Sequence, residues 1–397
     1  MKKKVLFFGE GIALSHIVRP LYLARCLDKE KYEISFACSE AFKGFVEGKV
    51  DHYYEIPSMS PGEFEKRLES PKKIYDNKIL SQYIDSELQL LSEVKPDVVI
   101  GDMRATLAIS ARQANIPYIN ISNAYWSPFS TQERQMPEIP ALEWMNFKFR
   151  MKFMKLVFPL VVKGYIQDYN KNRVKIGLPP VKSMQEMHCD GDWNLYVDTP
   201  TLAPTYNLPK SHQYIGPITE FIDNELPDWW HDVKNDKPII YFTVGSTGNV
   251  AILKPILEVL KKLPVTVLMS TAGRDLGTLP SNFYVSKYLP ALLVIEKSDL
   301  VICNGTGGLY QALSKGKPVL AFTKNMDQFL AMDMVEKNGA GKLIRPCFAT
   351  EDYILQNIEA MLQESSWKKN AQKIQSQIEK YNPKTLFIDV IDHVVNH

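Results

Sequence analysis

Apolar and polar positions in this chain fall into two alternating kinds of block. Short, mostly apolar runs occur at residues 5–8, 34–37, 53–56, 98–100 and 118–121. Such runs, bounded by turn formers, predict strands buried on both faces. Between them apolar residues recur at helical spacing: Ile17, Leu21, Ala24 and Leu27, then residues 74–91, then 105–114. Residues 193–197 and 213–215 predict two more short strands. The alternation restarts with a strong run at 239–244 and a helical pattern over 251–260. It continues with apolar runs at 300–302 and 318–322, separated by a helical pattern through Tyr310, Leu313 and Ser314. Strand and helix alternating in this way predict parallel sheets covered by helices. The segment GPITEFIDNELPDWWHDVKNDKP, residues 216–238, is rich in proline, acids and turn formers and divides the two series. The expected fold class is therefore α/β, with two Rossmann-like doubly wound domains facing across a cleft. The expected boundaries are 1–216 for the first domain, 217–237 for the linker and 238–381 for the second domain. A last helix within 382–397 carries Leu386, Val390, Ile391 and Val394 on one face.

Composition narrows this without changing it. The chain has 397 residues, 45% hydrophobic and 23% charged, with a net charge of +2, which suits a globular protein of two domains. No arginine-rich or RNA-reading motif appears, so no nucleic-acid partner is expected. The five cysteines (Cys26, Cys38, Cys189, Cys303, Cys347) show no CxxC spacing and fit a reduced compartment. The apolar run after Lys2–Lys4 is too short for a signal peptide, and no stretch approaches the length of a membrane span. A cytoplasmic location is expected.

Chemistry concentrates in three turns. After the run at 300–302 come Asn304 and the turn Gly305-Thr306-Gly307-Gly308, leading into a helix. Glycines there admit a close backbone approach, and the helix start offers free N–H groups and a positive dipole end, an anion site suited to a diphosphate. Glycine that merely turns the chain is the plainer reading. Asp327 and Gln328 lie just past the next strand, at the edge where open α/β sheets bind ligands. His16 sits in GEGIALSHIVRP, between the first strand and first helix, where an imidazole can take a proton near neutral pH. Its plain alternative is packing or capping at the helix start. Asp102 ends the strand at 98–100 and could cap the helix that follows. Asp190-Gly191-Asp192 spells a DxD, read here as an acidic turn, and His188 with Cys189 lacks zinc spacing; no metal is expected.

Residues 288–341 resemble the donor-binding signature of the UDP-glycosyltransferase superfamily, HGGxGTxxEALxxGVPxxxxPxxxDQxxNAxxVxxxGxG, and SHIVRPLYLARCL resembles its first-helix pattern GHxxPxxxLAxxL, with one extra residue before Pro20. The resemblance implies a GT-B glycosyltransferase, metal-independent and inverting. It would move a sugar from a nucleotide diphosphate donor, UDP by default with dTDP as the alternative, to a hydroxyl of a small, apolar or aromatic acceptor. No cofactor beyond the nucleotide-sugar co-substrate is implied. His16 would remove the acceptor proton, with Asp102 orienting the ring. Ser246, Thr247, Leu289, Asn304, Gly305, Thr306, Gly307, Gly308, Asp327 and Gln328 would hold the donor. The last helix would cross back to the first domain. Asn304 stands where the family has histidine, Leu309 where it has a hydroxyl residue and Ala291 where it often has glutamine. Those departures keep open a catalytically silent glycosyltransferase-like protein; a nucleotide-sugar epimerase of the same architecture is the other alternative. Residues 144–158 place Phe147, Met151, Met154 and Phe158 on one helical face and Lys148, Lys152 and Lys155 on another. A surface helix with a core stripe is the common reading. A lid over an apolar acceptor is favoured over peripheral contact with anionic lipid.

Overall fold

A computed structural model describes residues 2–70, 73–137, 139–219, 225–243 and 250–396. Two compact units emerge. The first comprises Met1–Thr131, Ile139–Ile218 and Tyr381–His397, and the second Gln132–Glu138 and Thr219–Lys380.

The first unit holds a seven-stranded sheet of β1 (Lys3–Gly9), β2 (Tyr32–Cys38), β3 (His52–Glu55), β4 (Val98–Asp102), β5 (Tyr118–Ser122), β6 (Trp193–Tyr196) and β7 (His212–Tyr214). All pairings are parallel, in the order β3-β2-β1-β4-β5-β6-β7. The chain thus winds outward one way from β1, then returns to β4 and winds the other way. β1 is apolar on both faces because both are covered. Leu6 and Phe8 pack with Leu90, Leu91 and Leu107, from two helices on one side. Phe7 faces Phe36 and Phe387, the latter from the closing helix Pro383–Asn396. Tyr32 donates a hydrogen bond to Asp392 of the same helix.

The second unit repeats the plan with β8 (Ile239–Thr243), β9 (Thr266–Ser270), β10 (Phe283–Ser286), β11 (Leu300–Cys303), β12 (Val319–Phe322) and β13 (Gly341–Ile344). The strands run parallel in the order β10-β9-β8-β11-β12-β13. Ile240, Phe242, Val267, Met269 and Ile302 pack against Leu257, Leu260, Ile354 and Ile358 of the flanking helices. β9, β10 and β13 are strands that the sequence pattern did not predict. Around residues 228–233, Trp229 donates its indole N–H to the Val285 carbonyl at 3.2 Å, and Lys297 donates to the Val233 carbonyl at 2.9 Å. The segment Gln132–Glu138 is tied to this unit by Gln132, which donates to the Leu330 carbonyl at 2.9 Å, and by Arg345, which donates to the Met136 carbonyl at 3.1 Å.

The helix expected near 144–158 runs over Phe147–Lys175 and continues past Pro159. Among the described residues no helix is long and apolar enough to cross a membrane.

Candidate active site

In each sheet the strand order reverses at one place, between β1 and β4 and between β8 and β11, and ligands of open α/β sheets bind beyond the carboxyl ends of the strands there. His16 and Asp102 lie at the first of these points and the turn 305–308 at the second.

At the first, Gly9 of β1 is in register with Asp102 of β4. His16 lies in the first turn of the helix Ser15–Cys26, which begins just beyond β1. Pro20 inside that helix has no N–H, so the His16 carbonyl lacks its usual helical donor. The His16 Nδ1 is 2.8 Å from Asp102 Oδ1. Neither residue is a cap: the N-cap position of the His16 helix is Leu14, without a side-chain bond, and the helix after β4 starts at Leu107 with Thr106 at its N-cap.

Arg19, one turn after His16, is the residue that sequence reasoning missed. Its Nε donates to Asp102 Oδ2 at 2.8 Å and its Nη2 to Oδ1 at 2.6 Å, while Nη1 donates to Asn123 Oδ1 at 2.8 Å. Its Nη2 also lies 3.0 Å from His16 Nδ1. A guanidinium cannot accept a hydrogen bond, whereas a carboxylate oxygen can take two. The arrangement that satisfies all three groups has Nδ1–H and Nη2–H both donating to Asp102 Oδ1. That leaves His16 Nε2 with a lone pair. Asp102 is fully buried, and burial alone would raise its pKa; the Arg19 charge, that of His16 when its ring is protonated, and the hydrogen bonds from both outweigh burial and hold it below the usual carboxylate value. The signal for Arg19 was present: positions three apart share a helix face.

The loop leading to His16 is pinned by a second buried network. Glu10 Oε1 accepts from the Ser58 hydroxyl at 2.5 Å and Oε2 from Arg104 Nη1 at 3.0 Å. Arg104 also donates to Glu87 at 2.7 Å and lies 3.8 Å from the centre of the Tyr83 ring. Beyond β5, Trp126 and Tyr165 flank the buried His188 ring at centroid distances of 5.2 and 6.5 Å. Burial, helped by the charge of His16, pushes the His188 pKa down to about 4.

At the second reversal, Gly305 follows β11 with φ +80°, and a Cβ there would sit 2.7 Å from the Thr323 methyl. Both facts require glycine. The Thr306 hydroxyl donates to Asn304 Oδ1 at 2.9 Å, and the helix Gly307–Ser314 starts directly after Thr306. A Cβ on Gly308 would come within 3.2 Å of Thr243 at the carboxyl end of β8, so the turn presses against the neighbouring strand end. The first N–H groups of this helix have no partner within it, which makes the turn a donor array for an anion. Asp327 lies half-buried in the first turn of the helix Met326–Lys337. Gln328 is buried and forms a capping box: its Oε1 accepts from Lys324 N at 2.9 Å, and its N–H donates to Asn325 Oδ1 at 3.0 Å. The amide oxygen of Gln328 is therefore committed to the helix start, and only its Nε2 group remains for a ligand. Leu289 is buried, just before the helix Ala291–Lys297. Ser246 and Thr247 lie outside the described residues.

Asp190 of the DxD is engaged by Arg112 at 3.2 Å and by Arg173, and Asp192 accepts from Tyr118 N at 2.9 Å. These carboxylates brace the loop before β6.

Comparison with known proteins places these features in context. Residues 254–389 match the family described as erythromycin biosynthesis protein CIII-like, C-terminal domain. A PGL/p-HBAD biosynthesis glycosyltransferase of Mycobacterium tuberculosis is 37% identical over 376 residues, covering 94% of this chain and 88% of the relative. A PGL/p-HBAD biosynthesis rhamnosyltransferase of Mycobacterium bovis is 38% identical over 352 residues, covering 87% of this chain and 77% of the relative. Among solved structures, the spinosyn forosaminyltransferase SpnP superposes with a TM-score of 0.74 at 18% identity over 100% of both chains. The glycosyltransferase VinC in complex with dTDP superposes with a TM-score of 0.71 at 14% identity over 99% of both chains. The two doubly wound units are those of the GT-B fold, and the protein belongs to the glycosyltransferase family of the mycobacterial PGL/p-HBAD biosynthesis enzymes, with an EryCIII-like C-terminal domain match over residues 254–389.

Proposed function

We propose that the protein transfers a deoxysugar, with inversion and without a metal ion, from a dTDP-sugar to a hydroxyl of a small aromatic or apolar acceptor. The observation that carries this reading is the His16–Asp102 contact of 2.8 Å at the carboxyl end of β4. With Nδ1–H held by Asp102, Nε2 of His16 takes the proton of the acceptor hydroxyl as its oxygen attacks the anomeric carbon. The bond from that carbon to the diphosphate breaks, and the nucleoside diphosphate leaves with the electron pair. Asp102 stabilises the imidazolium so formed. Backbone N–H groups of the 305–308 turn meet the charge on the departing diphosphate. Asp327 and the Nε2 group of Gln328 face the sugar hydroxyls.

The choice of dTDP over the sequence-based default of UDP draws on VinC, solved with dTDP, and on the relative named a rhamnosyltransferase. Purified protein should release dTDP from dTDP-rhamnose in the presence of a phenolic acceptor and form the glycoside. Turnover with UDP-glucose but not with dTDP-rhamnose would reverse the donor assignment, and an epimerised sugar without glycoside would overturn transfer itself.

A further inference from the structure

The helix Phe147–Lys175 turns the wrong residues to solvent for an ordinary surface helix. Its buried side includes Arg150, Met154, Asp168, Asn172 and Arg173. Its exposed side carries Phe149, Phe153, Leu156 and Leu160, the two leucines 78% and 72% exposed. At 3.6 residues per turn these four fall within about 60° of arc and form one continuous stripe. Val161 and, before the helix, Trp144 add exposed apolar surface. Apolar side chains grouped in this way mark a surface that is covered in use.

Charge identifies the cover. From Phe147 to Gln167 the helix contains no Asp or Glu. Lys148, Lys152, Lys155 and Lys163 are exposed along it, and among the described residues none of them forms an ion pair. Further along, the same helix borders an open groove of about 870 Å³ lined by Lys163, Lys171, Lys175 and Lys182. Among the described residues only Lys171 of these four forms an ion pair, with Asp168 at 2.8 Å. Apolar residues on one face, flanked by unneutralised lysines, match the interface of a bilayer whose headgroups are anionic. A second copy of the chain fits poorly. A two-fold contact across the stripe would bring no acidic side chain from 147–167 of the second copy to these lysines.

We propose that this helix seats the protein on an anionic lipid bilayer, with Phe149, Phe153, Leu156 and Leu160 entering the headgroup layer. The lysines along the helix and in the groove would meet lipid phosphates. This reverses the sequence-based preference for an acceptor lid in the same segment, and it stands whether or not the donor and acceptor assignments hold.

Flotation of the full-length protein tests it, with phosphatidylcholine vesicles prepared with and without phosphatidylglycerol. At low salt the wild type should float with the anionic vesicles. Binding should fall at least about tenfold on neutral vesicles or at high salt. Each Lys→Ala change at 152 or 163 should weaken binding roughly fivefold. Leu156→Glu with Leu160→Glu should abolish flotation while melting temperature and dTDP binding stay unchanged, since both side chains are exposed. A wild type that remains unbound with anionic vesicles overturns the proposal, as does equal binding to neutral ones. A concentration-dependent dimer, broken by the two glutamates and indifferent to vesicles, would assign the stripe to a second copy instead.

Discussion

Arg19 grips Asp102 through two parallel hydrogen bonds, Nε to Oδ2 at 2.8 Å and Nη2 to Oδ1 at 2.6 Å, and the same Oδ1 faces His16 Nδ1 at 2.8 Å. The carboxylate that would orient the imidazole is thus itself oriented by a planar fork whose third nitrogen is anchored on Asn123. Lysine cannot reproduce that geometry, because an ammonium is a point charge rather than a fork.

Arg19→Lys should therefore lower the turnover number by up to about 100-fold, the scale for misplacing a working group by an ångström. KM for donor and acceptor should change by less than about threefold. A large rise in KM with unchanged turnover would show that Arg19 serves binding, not the alignment of Asp102 and His16.

The Glu10–Arg104–Glu87 network predicts a stability effect. Arg104 is fully buried between two carboxylates, and their charges hold its pKa up against the opposing effect of burial. Burial pushes the Glu87 carboxyl up despite its bonds to Arg104, Thr106 and Ser110. Arg104→Met leaves both acids without their cation and should cost about 3–5 kcal/mol in denaturant unfolding. A loss under about 1 kcal/mol would mean that the carboxylates find protons or water cheaply.

His188 predicts the acid side of the stability profile. Its Nδ1 has no hydrogen-bond partner among the described residues, and its pKa falls from 6.5 to about 4, chiefly through burial and then through the His16 charge. Between those values the unfolded chain binds a proton that the folded chain does not, so unfolding free energy declines as pH drops from 6.5 to about 4. The full difference is worth about 3 kcal/mol. His188→Phe should flatten the decline over that range. An unchanged slope in the variant would place the titration elsewhere.

Much of this was legible in the sequence because the physics was local. Continuous apolar runs gave β1, β4, β5, β8, β11 and β12 to within a residue or two. The glycine turn at 305–308 was readable because a positive φ and a crowded strand end leave little choice of residue. β13 was not, since GKLI is too short and too mixed to stand out before the sheet pairs it, whereas β9 was overlooked although its Val267-Leu268-Met269 run matches that of β4. The helix Phe147–Lys175 misled in another way. Pro159 reads as a stop, and the apolar stripe at Phe147, Met151, Met154 and Phe158 reads as core, yet only Met154 of the four is fully buried. Arg150, Asp168 and Arg173 occupy the inner face instead, where Asp168 pairs with Lys73 and Arg173 donates to the Pro179 carbonyl, partners that no single-sequence pattern reveals. Gln328 was read as a donor-binding residue past the strand end, and its share in the capping box of the helix Met326–Lys337 depends on backbone geometry that the sequence does not show. Arg19 escaped because reasoning from a histidine and a carboxylate stops once the pair is complete.

Parallel measurement of sugar transfer and dTDP binding in His16→Ala tests the central claim most directly. Loss of a general base costs roughly 10²–10⁴ in rate. His16 lies in the first unit and the glycine turn in the second, so calorimetric affinity for dTDP should stay within about twofold of the wild type while the transfer rate falls by that amount. Asp102→Ala should follow in the same direction, and the double variant should be no slower than His16→Ala alone. Near wild-type transfer by His16→Ala, with donor binding intact, would contradict the account.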